Sequence, residues 1–86
     1  MIEDIMYMFN CELSKYFKCR CGSIAIDIYL YDKYIAKIYF DNLCKIEVYI
    51  YNNCIYSTGH KFFDLEDDNI ISTIINYILH EVAYSE

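Results

Sequence analysis

Eighty-six residues, 57% of them hydrophobic, make one domain with no room for a second core. The formal net charge of −6 argues against binding a phosphate backbone, which needs a basic face, and suits docking on a basic partner. No run approaches about 18 consecutive apolar residues, so a transmembrane helix is excluded, and no membrane partner is expected.

Glu3 and Asp4 occupy the place where a signal peptide would carry positive charge, and a cytoplasmic location is expected. Five cysteines (Cys11, Cys19, Cys21, Cys44 and Cys54) are an odd number without framework spacing, and read as reduced thiols. Abundant isoleucine, tyrosine, lysine and asparagine, one arginine and no proline point to an AT-rich genome. That bias explains why tyrosine is common. It does not choose the positions that receive it.

The opening segment IEDIMYMFNCELSKYF sets Ile2, Ile5, Met6, Phe9, Leu13, Tyr16 and Phe17 at helical spacing, with Glu3 and Asp4 where the helix dipole favours them. This predicts a helix over residues 2–17, stopped near Gly22.

From Ser23 the period becomes two. Ile24, Ile26, Ile28 and Leu30 share one face, against Ala25, Asp27, Tyr29 and Tyr31. The next run sets Ala36, Ile38 and Phe40 against Ile35, Lys37 and Tyr39. A third sets Cys44, Ile46, Val48 and Ile50 against Lys45, Glu47, Tyr49 and Tyr51. A short fourth, CIYST, turns Ile55 inward and Cys54 and Tyr56 outward.

Register follows from keeping each strand's apolar set on one side. Three-residue loops at Asp32–Tyr34 and Asp41–Leu43 would pair Ile28 with Ile38, and Ile38 with Ile46. A two-residue Asn52-Asn53 loop would pair Ile50 with Ile55 and Tyr49 with Tyr56.

The closing segment carries an apolar stripe of Ile70, Ile71, Ile74, Ile75, Ile78, Leu79 and Val82. Asp64 is placed as its N-cap, with Glu66, Asp67 and Asp68 in the opening turns. The predicted fold is α+β over residues 1–86: helix, four-stranded antiparallel meander, helix, with both helices on one face of the sheet.

That packing leaves the other face free. Tyr29, Tyr31, Tyr39, Tyr49, Tyr51 and Tyr56 are the candidate contact residues, with Asp27 and Glu47 setting orientation. Tyrosine also serves as an ordinary stabiliser of a half-wet sheet, because its ring packs across strands while the hydroxyl stays solvated. Base stacking on the sheet would need flanking basic residues, and Lys37 and Lys45 are offset by Asp27 and Glu47. No direct nucleic-acid contact is expected.

Cys19-x-Cys21, with Cys11 upstream and His60 downstream, supplies only one tight ligand pair where structural zinc uses two. His60 and His80 have no partner visible in the sequence, and no nucleophile elbow or phosphate-cradling glycine loop is present. The expectation is a protein that is not an enzyme and carries no cofactor or metal. Asp64, Glu66, Asp67 and Asp68 form a second candidate surface, able to imitate phosphate charge before a basic groove.

A compact acidic chain of this length, ordered helix, short antiparallel sheet, helix, resembles some phage anti-CRISPR proteins. The resemblance rests on size, charge and layout, and that family has no shared signature from which a residue could be carried over. It implies inhibition without catalysis, by filling a nucleic-acid or PAM-binding groove of a Cas effector, or by locking or dimerising it. The expected function is therefore a protein-binding inhibitor from a phage or mobile element, acting in the host-cell cytoplasm on a host or defence factor. Two alternatives stay open: a homodimeric or larger scaffold that buries the tyrosine face against its own copy, and a zinc- or thiol-dependent module using Cys11, Cys19 and Cys21.

Overall fold

The period-two alternation from Ser23 onward builds a sheet that is larger than its sequence pattern suggests. The computed structural model describes residues 2–40, 45–51 and 57–84. Helix α1 (Ile2–Leu13) leads into strands β1 (Lys18–Cys21), β2 (Ala25–Leu30), β3 (Lys33–Tyr39), β4 (Lys45–Tyr51) and β5 (Ser57–Asp64), and helix α2 (Ile70–Tyr84) closes the chain. The strands form one antiparallel sheet in chain order, β1-β2-β3-β4-β5. The protein is α+β.

Among the described residues five strands stand where four were expected. β1 escapes sequence reading because KCRC alternates cysteine with Lys18 and Arg20 and has no strong apolar residue to mark a face. β5 begins beyond most of the segment expected to be the fourth strand. The expected loop at Asp41–Leu43, Cys44, the expected turn at Asn52-Asn53, and residues Cys54, Ile55 and Tyr56 lie outside the described residues.

α1 stops at Leu13 rather than reaching residue 17. The Phe17 amide donates to the Leu13 carbonyl at 2.9 Å, and the turn so made drops Phe17 into the core while Tyr16 stays exposed. At the other end, Asp64 is the last residue of β5 and not the cap of α2. Its Oδ1 accepts from the Glu66 amide at 3.0 Å, and Asp67 Oδ1 accepts from the Asn69 amide at 3.0 Å. These carboxylates hold the turn that precedes the helix. The Asn69 carbonyl accepts from the Thr73 amide at 2.9 Å, which places Asn69 at the cap position.

The registers differ from those expected by whole pleats, so faces survive while partners change. Ile26 pairs with Ile38, Ile38 with Val48, and Tyr49 with His60. The β2–β3 connection is a tight turn through Tyr31 and Asp32, with φ of 52° and 65°, not a loop over Asp32–Tyr34. Positive φ at both residues gives the turn a twist that matches the strands it joins.

β3 carries one extra residue, Ile35, between the pairs Ile28–Ala36 and Tyr29–Tyr34. This bulge sends both Ile35 and Ala36 inward, so Ile35, expected on the outward face, is buried.

One buried cluster draws residues from both helices and from the sheet. Met6, Phe9 and Leu13 of α1 and Ile70, Ile74, Ile75 and Ile78 of α2 lie with Ile26, Ile28, Ile38, Ile46, Val48, Ile50 and Phe63. Phe9 meets Phe40 edge to face at 5.1 Å between centroids. Burying each isoleucine contributes about 1.5–3 kcal/mol, and a domain this small depends on that density.

Candidate functional site

Alternation sends every second side chain of the strands away from the core. The register lines these residues up across strands. One row, Arg20, Asp27, Lys37, Tyr49 and His60, crosses all five strands. Its neighbours are Lys18–Tyr29–Tyr34 on one side and Tyr39–Glu47–Phe62 on the other.

Two chains of rings run through these rows. Tyr34 touches Tyr29 at 5.3 Å and stacks on Tyr51 at 4.8 Å. Tyr39 meets Tyr49 edge-on at 5.6 Å, His60 lies flat on Tyr49 at 4.4 Å, and Phe62 meets His60 at 4.9 Å. The Lys37 ammonium stands 4.9 Å from the Tyr39 ring centroid.

The polar ends of the rings are anchored. The Tyr34 hydroxyl donates to Asp27 Oδ1 at 2.8 Å, and the Tyr49 hydroxyl donates to Glu47 Oε2 at 2.7 Å. His60 Nε2 lies 3.1 Å from that same Glu47 oxygen. Burial, followed by the bond to Asp27, pushes the Tyr34 phenol well above its ordinary range. The bond to the Glu47 carboxylate raises the Tyr49 phenol. Both groups are held protonated, as donors, through the neutral range.

Of the residues singled out from the sequence, Tyr29, Tyr39, Tyr49, Tyr51, Asp27 and Glu47 do come together on this face, half-buried by one another. Tyr31 stands apart at the turn tip, 90% exposed. Tyr56 lies outside the described residues.

Three ring-bearing members were missed. Tyr34 has the parity of Ala36 and Ile38, and only the bulge at Ile35 turns it outward to meet Tyr51. His60 and Phe62 belong to the unforeseen β5, although the period-two spacing of His60, Phe62 and Asp64 was a usable signal. The edge strand β1 adds Lys18 and Arg20, so the face carries cations at one side and Glu47 and Asp64 toward the other.

The acidic residues do not form part of that face as a group. Asp64 sits opposite Lys45 at the end of β5. Glu66, Asp67 and Asp68 follow it in the turn, beside Ile5, Met8 and Phe9 of α1. Among the described residues, no group of three or more His, Cys, Asp or Glu side chains is arranged to hold a metal ion. Cys11, Cys19 and Cys21 are free thiols, and burial pushes Cys19 and Cys21 up, away from the thiolate form. No described helix is long and apolar enough to cross a membrane. No protein-family model, curated protein or solved structure matches this chain.

Proposed function

We propose that this chain is a non-enzymatic protein-binding module whose outward sheet face docks on a partner protein. In this reading both helices cover the aliphatic side of the sheet, as their shared cluster with its isoleucines suggests, and the aromatic side is left to work. The observation that carries it is the anchored ring system: rings from four strands, β2 to β5, with centroids 4.4–5.6 Å apart and hydroxyls tied to Asp27 and Glu47. Rings already held in place lose little further freedom on docking, which favours binding by such a surface.

The mixed charge along the face, from Arg20 to Glu47, supplies orientation more than affinity. The net charge of −6 suits a partner with a basic surface, such as a nucleic-acid-binding effector. Together with the layout, this supports an inhibitor from a phage or mobile element acting on a host or CRISPR-type defence factor by occupying its contact surface.

The test is capture from nuclease-treated source-cell lysate by the protein and by a Tyr29→Ser, Tyr49→Ser, Tyr51→Ser variant. A protein held by the first and lost by the second supports the reading, provided circular dichroism shows the variant folded. Equal capture by both would overturn it.

A further inference from the structure

We infer that two copies of this chain pair antiparallel along β5, carrying the sheet from one protomer into its partner. β5 is the last strand of the sheet, and among the described residues nothing pairs with its outer edge. The opposite edge, β1, is four residues long and bears Lys18 and Arg20, features that guard an edge against pairing. β5 is eight residues long and presents Phe62, 54% exposed, on its outward side.

The choice of register is narrow. Keeping His60, Phe62 and Asp64 on one side of a two-fold pair requires a single residue to face itself across the axis. Lys61 on the axis would set two like charges opposite one another, and Phe63 on the axis would set Phe62 against a carboxylate of the partner's Asp64.

Phe62 on the axis avoids both. It sets Phe62 against the partner's Phe62, His60 against the partner's Asp64, and Lys61 against the partner's Phe63. The last pairing repeats a contact each protomer already makes, since the Lys61 ammonium lies 5.3 Å from its own Phe63 ring centroid. The ring chain Tyr39–Tyr49–His60–Phe62 also runs to this edge, and the pairing continues it through the axis into the second copy. The result is one sheet with a doubled aromatic face. The inference uses the strand edge and stands whether or not that face binds a further protein.

Analytical ultracentrifugation over a wide concentration range tests it. The mass of the unmodified protein should rise toward twice that of one chain, and Phe62→Lys should weaken this self-association by about tenfold or more. A folded-state readout that does not depend on that variant is oxidative cross-linking of Phe62→Cys, with the disulfide located by peptide mass spectrometry. Facing positions on paired strands stand about 5 Å apart, so position 62 should link to its own copy. Asp64→Cys, four residues from its own copy in this register and so about 13 Å away, should not. A protein that stays monomeric throughout, a Phe62→Lys variant that self-associates as before, or equal cross-linking at positions 62 and 64 would overturn the pairing.

Discussion

The Tyr34 hydroxyl reaches across the β2–β3 hairpin to Asp27, donating a 2.8 Å hydrogen bond on the outward face of the sheet. Burial first, and the carboxylate second, hold this phenol well above its ordinary range. The folded protein therefore keeps a proton that the unfolded chain releases near pH 10. The contribution is complete below about pH 10 and is lost as the pH climbs from there toward the folded value. We expect stability to fall above pH 10 by up to about 1.4 kcal/mol per pH unit from this group, less where solvent screens its exposed edge. Tyr34→Phe should remove that part of the slope and cost about 0.5–1.5 kcal/mol at neutral pH. Denaturant midpoints at pH 7 and at two alkaline values check both, and parallel pH profiles for the two proteins would contradict the assignment.

Glu47 Oε2 serves two partners, Tyr49 at 2.7 Å and His60 at 3.1 Å. Because the carboxylate raises the Tyr49 phenol, Glu47→Gln should move one phenolic step down toward the ordinary value near pH 10. Tyrosinate absorbance followed through an alkaline titration reads this directly. A titration curve unchanged by the substitution would show that Glu47 does not hold Tyr49.

Tyr31 and Asp32 both sit at positive φ, where a side chain strains against its own backbone. Asp32→Gly should raise stability by up to about 1 kcal/mol, which for a domain of this size is a gain of several degrees in Tm. A lower Tm would mean that the Asp32 side chain supports the turn.

Neighbouring residues of α2 make opposite predictions. Ile78 is fully buried, and Ile78→Ala should cost about 2–5 kcal/mol. Leu79 is 41% exposed, and Leu79→Ala should cost less than about 1 kcal/mol. Equal losses in urea unfolding would show that α2 is seated on a different face.

Alternation alone placed Asp27, Tyr29, Tyr39, Glu47, Tyr49 and Tyr51 on one side of the sheet, because parity survives any shift by a whole pleat. The pairings themselves were not legible. They depend on where each turn falls, and the chain turns at Tyr31-Asp32, earlier than the Asp-Lys pair suggests. The bulge at Ile35 was hidden for a related reason. YIAKIYF fits uninterrupted alternation, and the gain from burying both Ile35 and Ala36 exists only once the core lies beneath them. The strands at the two edges were the least visible. β1 offers cysteines in place of an aliphatic face, and in β5 the adjacent Phe62 and Phe63 point to opposite sides, so neither reads as a stripe.

The most direct test of the proposed contact face is photo-crosslinking from single positions of the purified protein added to source-cell lysate. A photoreactive phenylalanine analogue would replace Tyr39 on the sheet, Tyr31 at the turn tip, or Tyr7, which is 70% exposed on α1. Docking through the sheet face predicts a partner-protein adduct from position 39 and none from position 7, while position 31, apart at the turn tip, shows how far the contact extends. Adducts from position 7 alone would place the contact on the helices and contradict it.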